Sequence, residues 1–201
     1  ALLQGIEVDG RAYGGGWWDW LTPFTLTCGL AVVFGYGLLG ACWLNWRTEG
    51  YVRKHSRNIA RILGFVTVGF IGIVSLWTPF LEAAYFERWY SWPQMLQVAP
   101  VPILVVLFIL FLGKELYNES NDWMPFVLTL GLFLLCFIGL GVCMWPYVIP
   151  TSVTMYDAAS PFKSQLFMFV GAIILVPIIL GYTAFAYYVF RGKIKPGEGY
   201  H

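Results

Sequence analysis

Few side chains in this sequence can do chemistry. There are two histidines. His55 falls in a basic stretch between two apolar runs, and His201 is the last residue. Multi-histidine copper sites are excluded by that count. Haem ligation inside a membrane takes His, Met or Cys at depth. Met144 and Met168 lie within or near apolar runs, where a lone methionine packs far more often than it ligates. The four cysteines, Cys28, Cys42, Cys136 and Cys143, all sit inside apolar stretches without a C-x-x-C spacing. They read as small packing residues, with neither a zinc ribbon nor covalent haem attachment. No Ser/His/Asp arrangement, Gly-rich phosphate loop or paired carboxylate on one helix face is present. No catalytic, cofactor-binding or metal-ligating residue is therefore expected.

Three carboxylates remain as candidates for structural or path-lining roles: Glu49, Glu82 and Asp157. Glu49 lies in Thr48-Glu49-Gly50, just before Arg53, Lys54 and Arg57. Pairing with those cations is its expected role, and Gly50 suits a helix C-cap. Glu82 and Glu87 follow an apolar run and read as parts of a solvated loop. Asp157 precedes the last apolar run, where its short side chain suits capping a turn.

The elements that position these residues are apolar helices. Of 201 residues, 59% are hydrophobic and only 11% are charged, against about 25% charged in a soluble domain. A bilayer is the natural solvent for such a chain. Five runs are long enough to span it: Leu21 to Trp46, Ala60 to Phe80, Gln97 to Gly113, Trp123 to Val148 and Gln165 to Phe190. They lack the alternating pattern of barrel strands, so the expected class is all-α integral membrane with five transmembrane helices. The ten tryptophans, from Trp17 to Trp145, cluster at or near the ends of these runs as an aromatic belt. Pro177 predicts a kink in the fifth span. Ala31 with Gly35, and Gly139 with Gly141, would let helices approach closely.

Charge sets the expected orientation. Arg47, Arg53, Lys54, Arg57, Arg61, Lys114, Arg191, Lys193 and Lys195 fall on one side, whereas Arg11, Arg88 and Lys163 fall on the other. The positive-inside rule then places the N-terminus outside and the C-terminus in the cytoplasm. The acidic neighbours Glu115, Glu119 and Asp122 argue weakly the other way, and acidic residues contribute little to topology. With Arg61 counted among the loop residues, the spans are expected to hold no Asp, Glu, Lys, Arg or His. A self-sufficient pump would carry such residues at depth. Basic residues are few and not interleaved with exposed aromatics, which excludes nucleic acid as a partner. The chain opens at Ala1 rather than Met and shows no signal-peptide pattern, so it reads as a single membrane module and as a fragment or a processed chain.

Four blocks of sequence carry a family resemblance. They are Leu2-Leu3-Gln4-Gly5; Gly37 to Leu44 leading into Thr48-Glu49-Gly50; Met144 to Pro150 leading to Asp157-Ala158; and Val176 to Leu180 leading through Tyr182-Thr183-Ala184 to Tyr187, Phe190 and Gly192. In this order they resemble the second subunit of cytochrome bd-type quinol oxidases over nearly the whole chain. Leu76 to Phe80 with Phe86 to Trp89 resembles the cyanide-insensitive branch. The resemblance implies about twice this length, as two four-helix bundles with one peripheral helix, or about nine helices. This chain would match the later half. It further implies a complex in the bacterial cytoplasmic (inner) membrane that oxidises membrane quinol and reduces O2 to water. Haem b and haem d would be held by the partner, subunit I, and none by this chain. Acidic residues of a proton route would lie in the earlier half, so no catalytic residue carries over. The competing readings are half of a multi-pass transporter, which predicts broken helices and polar residues at the midplane, and a non-catalytic membrane scaffold. An open reading frame extending upstream with four more spans would favour the oxidase reading.

Overall fold

The computed structural model describes the chain apart from residues 1, 10, 11, 119, 120, 151 and 194–201, and apart from the side chains of Arg88, Gln94 and Gln97. Expectations that rest on Ala1, Arg11, Glu119, Lys195, His201 or the Arg88 side chain lie outside the described residues. Among the described residues there are seven α-helices: α1 (Pro23–Arg47), α2 (Gly50–Trp77), α3 (Ala83–Tyr90), α4 (Gln94–Val98), α5 (Pro100–Asn118), α6 (Met124–Met144) and α7 (Phe162–Val189). Five of them, α1, α2, α5, α6 and α7, are long and apolar enough to cross a membrane. Among the described residues two small antiparallel pairs are present: β1 (Val8–Asp9) with β2 (Ala12–Tyr13) before α1, and β3 (Tyr147–Ile149) with β4 (Val153–Thr154) between α6 and α7. The class is all-α integral membrane.

The largest departure from the sequence reading is at α2. Its expected start was Ala60, but the helix begins at Gly50. The basic stretch is therefore not a loop. Arg53, Lys54, His55, Arg57 and Arg61 ride on the first turns of α2. Arg61 falls within Ala60 to Phe80 itself, so the expectation of spans free of ionisable residues is corrected. Likewise α5 runs on to Asn118 and takes in Lys114 and Glu115. A helix keeps its own backbone hydrogen bonds beyond the hydrocarbon, so loss of apolarity marks the membrane surface rather than the helix end. The fourth span ends early, at Met144, because the chain turns into β3. Glu82 and Glu87 do not lie in a loop: Glu82 is the N-cap position of α3 and Glu87 lies inside it.

Helix α1 starts at a capping box in which Thr22 accepts from the Thr25 backbone and Thr25 accepts in return. Its end is capped by Thr48. Gly50, expected as a C-cap, instead opens α2 with φ of 64°. That left-handed conformation is open to glycine at little cost and lets the chain reverse between two antiparallel helices.

Helices α1, α2, α5 and α6 close into a four-helix bundle, each packing on the next and α6 returning to α1. Its centre is Leu38, Ala41 and Cys42 of α1, Ala60 of α2, Leu112 and Leu116 of α5, and Leu132 of α6. Small residues set the approach: a Cβ on Gly35 would stand 2.9 Å from Phe133 of α6. Of the expected small-residue pairs, Gly35 thus lies at an interface, whereas Gly141 has nothing within 4 Å.

Helix α7 is set apart. None of its residues is buried, although it is 28 residues long and carries Pro177 in its interior. Among the described residues, its ring, hydrogen-bond and ion-pair contacts with the bundle all lie at its C-terminal end. Tyr187 meets Trp43 edge-on, Arg47 donates to the Arg191 carbonyl, and Lys193 pairs with Asp122.

Candidate functional site

The polar residues gather at the two ends of the bundle. At one end, the C-terminus of α1, the N-terminus of α2, the α5–α6 connection and the residues after α7 meet around Asp122. Its carboxylate is 2.6 Å from Arg53, 2.8 Å from Lys193 and 3.9 Å from Arg57. Arg57 is only 3% exposed. It also donates to the Asn121 carbonyl at 3.1 Å. Asn45, fully buried, donates to the Asp122 carbonyl at 2.9 Å, and its Oδ1 has no hydrogen-bond partner. Arg61 closes the end of α5 by donating twice to the Leu116 carbonyl, at 3.0 and 2.9 Å. Orphan carbonyls at a helix C-terminus take such cationic donors readily.

These arginines point inward because of their spacing. Arg57, Ala60, Gly64 and Thr67 share one buried stripe of α2, the period of a helix face. Deeper along the bundle, Cys42 and Thr129 touch at 3.6 Å, and Thr129 donates to the Pro125 carbonyl at 2.8 Å. Arg57, Asn45 and Asp122 were not singled out from the sequence as site residues. The stripe period and the matching acid between two apolar runs are the signals that carry them.

At the opposite end, two of the conspicuous sequence blocks, Leu2–Gly5 and Met144–Pro150, converge. Gln4 accepts from the Thr22 hydroxyl at 2.6 Å, which ties the Leu2–Gly5 segment to the start of α1. Tyr85 of α3 donates to the Leu3 carbonyl at 3.0 Å. Gly5 is left-handed, with φ of 77°, and a Cβ there would lie 3.9 Å from both Glu82 Oε1 and the Pro150 carbonyl. An open groove of about 900 Å³ lies beside this junction, lined in part by Gln4, Glu7, Tyr13, Asp19 and Trp20. Asp19 is already engaged there, accepting from the Tyr13 hydroxyl at 3.0 Å and from the Gly16 amide.

The three carboxylates singled out in the sequence are not brought together. Glu49 occupies the N-cap position of α2, half-buried, with no side-chain capping bond. It makes no ion pair among the described residues, so its expected pairing with the following cations is not seen; Asp122 takes Arg53 and Arg57 instead. Glu82 sits at the N-cap of α3, against Gly5. Asp157 accepts from the hydroxyl and amide of Thr154, and its own amide donates to that hydroxyl at 3.2 Å. This reciprocal pattern closes the turn after β4.

No group of three or more potential metal-ligating side chains is found among the described residues. His55 is exposed and stacks on Tyr51, Met168 is 70% exposed on α7, and Met144 ends α6. Such residues do not fit a haem, which needs axial donors at depth in an enclosed pocket.

The fold and its polar ends define a multi-pass helical membrane protein in which Asp122, Arg53, Arg57, Arg61 and Lys193 join helix ends to one another. Residues 1–190 match the profile of the family described as cytochrome bd terminal oxidase subunit II, and the chain belongs to that family. It is 28% identical to the cytochrome bd-I ubiquinol oxidase subunit 2 of Escherichia coli strain K12, over 96% of this chain and 60% of that protein. It is 24% identical to a probable cytochrome oxidase subunit 2 of Haemophilus influenzae, with the same coverage. The cytochrome bd ubiquinol oxidase subunit 2 of Bacillus subtilis is also 24% identical, over 90% of this chain and 53% of its own length. The chain therefore spans little more than half the length of these relatives.

Proposed function

We propose that this chain is the later half of the second subunit of a terminal quinol oxidase in the bacterial cytoplasmic (inner) membrane. It carries no haem. A haem-bearing subunit I holds haem b and haem d, and the complex oxidises membrane quinol and reduces O2 to water. The observation that carries this reading is the family match over residues 1–190. Glu49, Glu82 and Asp157 serve as structural residues at helix ends and turns. Deleting the gene is expected to abolish the bd-type, quinol-dependent O2 uptake of isolated membranes, with a plasmid copy restoring it. Unchanged uptake in a strain with no other quinol oxidase would refute the reading.

The chain's N-terminus lies outside and its C-terminus in the cytoplasm. Support comes from the grouping of Arg47, Arg53, Arg57, Arg61 and Lys193 at one end of the bundle, the end the positive-inside rule places in the cytoplasm. A reporter enzyme active only outside the cell, fused after Lys193, should be inactive, whereas a fusion in the β3–β4 region should be active. The opposite pattern would invert the topology.

A further inference from the structure

One end of the bundle gathers many cations. Arg47, Arg53, Arg57, Arg191 and Lys193 meet there, where the Asp122 carboxylate pairs with Arg53, Arg57 and Lys193 and the Arg191 carbonyl accepts from Arg47. Glu49, on the same rim, pairs with none of them. Arg47 and Arg191 have no carboxylate partner among the described residues. Instead their guanidinium groups lie on ring faces, Arg47 at 5.2 Å from Trp43 and Arg191 at 4.0 Å from Tyr188. A guanidinium stacked on a ring keeps its in-plane N–H donors clear of the ring; Arg47 spends one on the Arg191 carbonyl, and the donors that remain on the two arginines suit a phosphate. Beyond this end, α7 buries nothing, so its apolar face and that of the bundle both need an apolar covering. A phosphate beside two long apolar surfaces, at the level of an aromatic belt, has the chemistry of a phospholipid.

We propose that an anionic phospholipid binds where α7 meets α1. Its phosphodiester, with no headgroup ammonium to offset the charge, is held by Arg47 and Arg191, and its acyl chains run along α7. The inference does not depend on the oxidase reading, because a lipid preference stands or falls whether or not haem accompanies the protein.

The test uses the protein purified from its own membranes with whatever it is assembled with, in mild detergent. Native mass spectrometry then follows competition between phosphatidylglycerol and phosphatidylcholine of the same acyl composition. Phosphatidylglycerol should be retained about thirtyfold over phosphatidylcholine, the scale expected when two surface cations contact an anionic headgroup. The Arg47→Gln/Arg191→Gln double variant should lose that preference, whereas Lys163→Gln, at the other end of α7, should keep it. Millimolar inorganic phosphate should not displace the lipid. Equal retention of the two lipids by the unsubstituted protein would overturn the proposal, and that comparison needs no variant to fold. Displacement by phosphate would also overturn it, since the site would then serve a free anion. So would a complex with no lipid there because a protein surface covers the cations.

Discussion

Asp122→Asn is expected to destabilise the protein by about 3 kcal/mol, the lower end of what removing one partner of a buried ion pair costs. The substitution keeps the shape and removes the charge. Asp122 is 17% exposed on its side chain and serves Arg53, Arg57 and Lys193 together. Most of the effect arises at Arg57, which is 3% exposed and cannot recover hydration when the nearby anion is lost. Arg53 and Lys193 are more than a third exposed, so their pairs with Asp122 are screened and add little. Adding Arg57→Met should recover part of the loss, because an apolar replacement removes the buried charge that Asp122→Asn leaves behind. Thermal unfolding of the assembled protein in detergent would follow both variants. A single variant melting with the unsubstituted protein would show that Asp122 does not hold this end together.

The second large effect is expected at Gly131. A Cβ there would lie 2.1 Å from Cε1 and 2.7 Å from Cδ1 of Phe108, which packs against the bundle core. Gly131→Ala therefore forces the ring or the α5–α6 spacing to move, an overpacking loss of about 1–3 kcal/mol. The clash is specific, so Phe108→Leu should relieve it. The double variant should be more stable than the sum of the two single losses predicts, a positive coupling in a double-mutant cycle. Additive losses would mean that the two helices separate freely at this point. Small residues matter here because close packing, rather than hydrophobic segregation, holds helices together in lipid.

The five spans were legible because the hydrocarbon thickness demands about twenty apolar residues each. Their ends were less legible. Hydropathy marks where water begins, but α2 continues ten residues past that point, with Arg57 turned inward and Lys54 outward. Helices α3 and α4 are too short to stand out from apolar loop sequence. The candidate site was less readable still. Glu49, Glu82 and Asp157 drew attention by type and position, yet the carboxylate that organises the bundle end is Asp122. Its partners come from α2 and from the residues after α7, and no local pattern announces a meeting of segments so distant in sequence. Gly131 was missed for the same reason: its significance lies in Phe108 on the neighbouring helix, not in its own neighbours. The blocks Leu2–Gly5 and Met144–Pro150 carried the family resemblance without showing why they go together. The structure places Gly5 and Pro150 against one another, with Glu82 beside them.

The most direct test of the account is purification of the tagged, native-length protein from its own membranes, followed by a reduced-minus-oxidised absorption spectrum and an assay of quinol-dependent O2 uptake. The account predicts that haem b and haem d bands co-purify with a second, haem-bearing subunit, that the preparation consumes O2 with quinol, and that the present chain separated from its partner is colourless. A haem-free preparation with a different partner and no O2 uptake would contradict it.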